Sequence, residues 1–178
     1  FFVDWICLEK TMHHILKLNN GDSQSCFDLG LMYYTGEGVK QDLSKAIELY
    51  AKARKGNAIM CSFVGNFYYS GKDIKQDYFK ATDFFKKGCE QGESNGCANL
   101  GIMYYKGEGV KQDYFKATEF FKKACDGQNA HGCVNLGVIY ENGEGVKQDN
   151  KKAKELYGKA CDLKLQKGCE GYTKLNKK

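Results

Sequence analysis

Residues 96–125 read GCANLGIMYYKGEGVKQDYFKATEFFKKAC, and residues 132–161 read GCVNLGVIYENGEGVKQDNKKAKELYGKAC. The second stretch repeats the first after 36 residues, and weaker copies begin near Cys61 and Cys26. A period of about 20–50 residues marks stacked units rather than one globular core. The expectation is an all-α solenoid, in which each unit contacts only its neighbours.

Within residues 96–125 the pattern resolves into two helices. Cys97, Leu100, Gly101 and Tyr104 fall at i, i+3, i+4 and i+7, one buried stripe of a first helix over about Ser94 to Tyr105. Ser94 or Asn95 is the expected N-cap. Gly101 has counterparts at Gly30, Gly65 and Gly137. Glycine inside a helix costs about 1 kcal/mol against alanine, so its return on the buried stripe implies helices too close for a Cβ. The loop KGEGVKQ follows, and Gly107 and Gly109 permit positive φ. Asp113, like Asp42, Asp77 and Asp149, suits the N-cap of a second helix. That helix, Tyr114 to about Asp126, turns Ala117, Phe120, Phe121 and Ala124 inward.

Outward from there, the units are 22–57, 58–93, 94–129 and 130–165. Residues 1–21 read as a capping helix or the remnant of an earlier unit, with Phe2, Ile6, Met12, Ile15 and Leu16 on one face. Residues 166–178 read as a short basic helix. The chain of 178 residues has no proline, and no apolar run reaches the roughly 18 residues of a membrane span. Lysines occur in every unit and the net charge is +5, which suits a solvated outer face better than a nucleic-acid stripe.

Six of the nine cysteines pair at one spacing: Cys89 with Cys97, Cys125 with Cys133, and Cys161 with Cys169. Eight residues of continuous helix span about 12 Å, beyond the roughly 7 Å that a disulfide tolerates between Cα atoms. Bonded pairs therefore require a chain reversal, and EQGESNG and DGQNAHG between them are turn chemistry. Metal binding is the rival reading, but it favours two to four residues between ligands with histidine nearby. The disulfide reading places the chain in an oxidising compartment, secreted or periplasmic. It staples consecutive units. Cys26 and Cys61 read as buried thiols. Cys7 is left open, and Arg54 stands where a cysteine would face Cys61.

Cys97, Leu100, Gly101, Tyr104, Gly107, Gly109, Val110, Asp113, Ala117, Ala124 and Cys125, with their counterparts, resemble the Sel1-like repeat. With cysteines eight apart, the chain is similar to the Helicobacter cysteine-rich proteins in particular. The resemblance covers about residues 22–173. It implies a right-handed, TPR-related α-solenoid of disulfide-linked helix pairs, exported from the cytoplasm. It also implies two activities: a concave groove for a peptide or protein partner, and slow penicillin-binding β-lactamase chemistry on a β-lactam or peptidoglycan-like fragment.

The residues bear differently on these two. No serine has lysine three residues on, the helical spacing of a serine β-lactamase, and there is no Lys-Thr-Gly or Ser-Asp-Asn. The histidines are His13, His14 and His131, too few and too scattered for a metal centre. The GEGVK loop is not a phosphate loop, and neither a metal nor another cofactor is expected. A groove finds more. Opposite the buried stripe lie Asn99, Ile102, Met103 and Lys106, matched by Asp28, Leu31, Met32 and Thr35, by Phe63, Asn66, Phe67 and Ser70, and by Asn135, Val138, Ile139 and Asn142. Asn99 and Asn135 form a ladder of amides, each offering donor and acceptor to an extended backbone. Phe63, Phe67 and Met103 supply apolar pockets, with Asp28, Asn66 and Asn142 completing the expected face.

Overall fold

The computed structural model describes residues 23–53, 58–72 and 74–177. The expected N-terminal helix, Cys7, His13, His14 and Arg54 lie outside them. Nine helices run through the described residues, with no strand among them: α1 Ser23–Thr35, α2 Leu43–Ala53, α3 Ala58–Ser70, α4 Tyr78–Glu90, α5 Ser94–Lys106, α6 Tyr114–Asp126, α7 Ala130–Asn142, α8 Asn150–Asp162 and α9 Gln166–Asn176.

The loop between paired helices is built by its sequence. Gly107 takes φ 75° and Gly109 φ 69°. A Cβ on Gly109 would meet the Tyr78 carbonyl oxygen at 2.3 Å, so this glycine lets the loop lie on the preceding outer helix. Gln112 Nε2 donates back to the Tyr105 carbonyl at 2.8 Å, and Gln41, Gln76 and Gln148 repeat the bond. Asp113 then caps α6, its carboxylate accepting from Lys116 N at 3.0 Å. Asp42, Asp77 and Asp149 do the same for α2, α4 and α8.

Paired helices approach through the expected glycines. A Cβ at Gly101 would lie 2.6 Å from the Phe121 ring, and Gly30, Gly65 and Gly137 stand in the same relation to Tyr50, Phe85 and Tyr157. From α4 onward each pair docks on the next helix through a disulfide: Cys89–Cys97, Cys125–Cys133 and Cys161–Cys169, with Cα atoms 4.5, 4.5 and 4.6 Å apart. The bonds join α4 to α5, α6 to α7 and α8 to α9, across the joints between units. Cys26 and Cys61 are buried.

Three expectations need correction. Met103 is fully buried, in a cluster with Ala81 and Phe85 of the preceding α4, so it belongs to the core and not to a groove. A helix inside a stack has two packing partners, its own second helix and the one before it, and a single apolar stripe cannot serve both. The α5 N-cap is Glu93, not Ser94 or Asn95; its carboxylate accepts from the backbone of Asn95 and Gly96. Ile139, placed opposite the stripe with Asn135, is also fully buried, in a cluster with Phe121 and Leu136.

The tyrosines of the buried stripe are half-buried, and lysines cover them. Lys45, Lys80, Lys116 and Lys152 each carry the ammonium over Tyr33, Tyr68, Tyr104 and Tyr140, 4.2–5.3 Å from the ring centroid. Part of the repeated lysine pattern thus serves packing as well as solvation.

Candidate functional site

The stack has an inner and an outer layer. The odd-numbered helices touch along the stack, α3 to α5, α5 to α7 and α7 to α9, whereas no even-numbered helices touch each other among the described residues. Neighbours that are closer on one face than the other bend the array, so α3, α5, α7 and α9 line its concave side.

Three hollows adjoin on that side. The widest, about 520 Å³, is lined by Ile59, Ser62, Phe63, Asn66, Glu93, Asn95, Ala98, Asn99, Ile102, Asn129, His131 and Asn135. Through Phe63 and Asn66 it meets a hollow of about 360 Å³ that reaches Tyr34, Phe67 and Ser70. Through Ile102 and Asn135 it meets one of about 310 Å³ that reaches Tyr69, Tyr105, Lys106 and Val138.

Five of the expected groove residues are brought together here: Phe63, Asn66, Phe67, Asn99 and Asn135. Asn99 Nδ2 donates to Asn66 Oδ1 at 3.3 Å across the joint between units. Phe63 packs edge-on against both Phe67 and Tyr50. Asp28 and Asn142 do not line these three hollows: Asp28 accepts from Gln24 within α1, and Asn142 is exposed at the end of α7. The apolar surface collects toward α1 and α3, where Ile59 is 64% exposed, Leu31 44% and Phe63 38%. The amides occupy the middle.

Beneath the amides runs a buried polar chain that the sequence reading missed. Ser62 is 4% exposed and donates its hydroxyl to Glu93. Glu93, 9% exposed, also accepts from Asn95 N at 2.9 Å, Asn95 Nδ2 at 2.7 Å and Gly96 N at 2.5 Å. Asn129 Nδ2 donates to Asn95 Oδ1 at 2.8 Å, while Asn129 caps α7 through Gly132 N at 2.8 Å. One run of side chains therefore links α3, α5 and α7 along the groove floor. The legible signal was positional: Glu93 and Asn129 occupy the same place in successive units, just ahead of an inner helix.

At the far hollow, Lys106 Nζ donates to the Tyr69 hydroxyl at 2.8 Å, and that bond holds the ammonium above its ordinary range. Burial first, then the hydrogen bond it donates to Glu144, pushes the Tyr105 phenol up. Among the described residues no three His, Cys, Asp or Glu side chains gather as a metal would require. No described helix is long and apolar enough to cross a membrane.

The comparisons with known proteins agree with this geometry. The Sel1 repeat model matches residues 23–57, 58–93, 94–129 and 130–165. Cysteine rich protein B of Helicobacter pylori is 36% identical, with a TM-score of 0.61 over 76% of this chain and 98% of that one. The c5321 protective antigen of uropathogenic Escherichia coli, which displays an SLR fold, is 29% identical, with a TM-score of 0.80 over 89% of this chain and 34% of that one. A Sel1 repeat protein from Oxalobacter formigenes, 23% identical, shares the fold with a TM-score of 0.71 over 85% of this chain and 61% of its own. The chain thus spans about a third of the c5321 antigen and about three fifths of the Oxalobacter protein. Among curated proteins none matches it.

Proposed function

The chain belongs to the Sel1 repeat family, and from that premise we propose that it is an exported scaffold whose inner groove holds an extended segment of a partner protein. Sel1 repeats generally mediate protein interactions. The observation that carries the reading is the continuity of three hollows across α3, α5 and α7, apolar at one end and amide-lined in the middle. Adjacent helices pack about 8–10 Å apart, and an extended peptide advances about 3.3 Å per residue. Each repeat therefore reads about three residues of ligand. Phe63 and Phe67 take an apolar side chain. Asn99 and Asn135 pair with backbone N–H and C=O groups, as side-chain amides can. The three disulfides favour an oxidising compartment, which is the basis for reading the protein as secreted or periplasmic.

Hydrolysis of β-lactams draws no support from the cleft. No lysine lines its widest part, and the serine there, Ser62, is buried with its hydroxyl given to Glu93.

Selection from a displayed peptide library on the immobilised, oxidised protein tests the groove. Enriched peptides are expected to bind the parent and to lose about tenfold or more in affinity against Asn99→Ala/Asn135→Ala, the order of one or two hydrogen bonds. Equal binding to parent and variant, with unchanged far-UV dichroism, would rule the amide ladder out.

A further inference from the structure

The turn between α8 and α9 departs from its two siblings. The corresponding residues are Glu90 to Asn95 (EQGESN), Asp126 to His131 (DGQNAH) and Asp162 to Lys167 (DLKLQK). In the first two, Glu93 and Asn129 cap the following helix with a side-chain hydrogen bond. In the third, Leu165 occupies that place and makes none. The next position back takes positive φ in all three turns: Gly92 at 83°, Gln128 at 61° and Lys164 at 66°. Lysine is a poor occupant of a conformation that suits glycine. The third turn thus gives up the side-chain cap that both siblings keep, shares with the second a non-glycine at positive φ, and holds two leucines and two lysines.

Leu163, Lys164 and Lys167 face solvent, and Leu165 is half-buried. Leu163 is 38% exposed, and Lys159, Lys164 and Lys167 around it are exposed, with no ion pair to a described residue. The Cys161–Cys169 disulfide pins both flanks of the turn. On the same terminal pair of helices Tyr172 is also 38% exposed, with Lys154 Nζ 5.3 Å from its ring centroid. The charge of the whole chain is concentrated here. Residues 147–178 hold ten lysines against four carboxylates, whereas residues 1–146 hold seventeen basic and eighteen acidic side chains.

We propose that the α8–α9 pair is a contact surface for an anionic phospholipid bilayer. Lys159, Lys164 and Lys167 pair with headgroup phosphates, and Leu163 and Tyr172 enter the interfacial layer, as apolar side chains among lysines do at membrane surfaces. A soluble polyanion would be served by the lysines alone; the exposed leucine and tyrosine favour the bilayer. The solenoid is then held through α8 and α9, with the inner groove of α3, α5 and α7 open to a partner. This surface is separate from the groove and stands or falls without it.

Flotation of the oxidised protein with phosphatidylcholine vesicles, with and without phosphatidylglycerol, tests the proposal. The parent is expected to float with the anionic vesicles at low salt and to stay behind with the neutral ones. Lys159→Gln/Lys164→Gln/Lys167→Gln should weaken partitioning by about fivefold for each lysine removed. Removing Lys75, Lys111 and Lys122 from the other repeats should leave it unchanged. Leu163→Asn, which alters no charge, should weaken it several-fold. The proposal is overturned if the parent ignores anionic vesicles, or if the two lysine sets act alike. It is equally overturned if Leu163→Asn binds as the parent does, for the interaction is then with charge alone and not with a bilayer. Unchanged dichroism and intact disulfides verify the fold of each variant.

Discussion

Replacing Glu93 by alanine should be among the most damaging single changes at the groove, although Glu93 carries a charge and lies outside any helix. Its carboxylate is the common acceptor for Asn95 N, Asn95 Nδ2, Gly96 N and the Ser62 hydroxyl. Loss of an N-cap costs about 1 kcal/mol. The Ser62 hydroxyl, buried on α3, is left without its acceptor, which adds about 1–2 kcal/mol. The expected destabilisation is about 2–3 kcal/mol, read as a shift in the urea midpoint at constant slope. Ser62→Ala alone should cost about 1 kcal/mol, because the carboxylate keeps its three N–H donors. In a double-mutant cycle the two residues should therefore be coupled by about 1 kcal/mol or more. A Glu93→Ala loss within the roughly 0.5 kcal/mol of an ordinary surface substitution would refute the tie between α3 and α5. So would strict additivity with Ser62→Ala.

Four further outcomes are expected. Gly101→Ala gains about 1 kcal/mol of helix propensity, but its Cβ would lie 2.6 Å from the buried Phe121 ring, and overpacking of about 1–3 kcal/mol should leave the variant less stable in urea. Gly158→Ala is the contrast: its Cβ meets only the exposed Tyr172 ring at 3.3 Å, so propensity should win and the midpoint should rise. Cys125→Ala/Cys133→Ala opens a short loop and should cost about 2–3 kcal/mol by chain entropy, measured against the oxidised parent. Burial above all, and then its bond to Glu141, raises the Tyr157 phenol, and burial raises Tyr50 and Tyr105 as well. A raised phenol favours the neutral form in the folded chain. Its contribution is whole below about pH 10, the unfolded value, and is lost as pH climbs toward the folded one. Urea midpoints should therefore fall above about pH 10, and Tyr157→Phe should flatten that fall.

The sequence carried the architecture because the same physical demands return every 35 or 36 residues. Gly30, Gly65, Gly101 and Gly137 are each read from a need, room for a ring, that nothing but glycine meets. Asp42, Asp77, Asp113 and Asp149 are read from capping, and the cysteine pairs from a reversal that their spacing demands. The groove was legible only in part. Phe63, Asn66, Phe67, Asn99 and Asn135 were found by counting around one helix, but the same counting put Met103 on the open face. A helical wheel knows one partner, and α5 has two. Glu93 was passed over because glutamate is a weak N-cap by propensity; it becomes a strong one when Ser62 of the preceding unit supplies a further donor. That information lies in two residues 31 positions apart, and no local pattern contains it.

The placement of the disulfides bears on binding as much as on stability. Each one crosses a joint between units, α4 to α5, α6 to α7 and α8 to α9, and none ties the two helices of one unit. Within a unit the glycine–aromatic contact and the Gln and Asp of the loop already fix the pair. The joints are the softer degree of freedom in a stack, since each unit meets only its neighbours. They also set the distance from Asn66 to Asn99 and on to Asn135. A bond at both of those joints, with the Ser62–Glu93–Asn95–Asn129 chain beside it, therefore fixes the spacing of the amides before any ligand arrives. Preorganisation of that kind lowers the entropy lost on binding. Breaking Cys125–Cys133 should accordingly weaken groove ligands even in conditions where the chain stays folded, and ligands that touch only α1 and α3 should be indifferent to it.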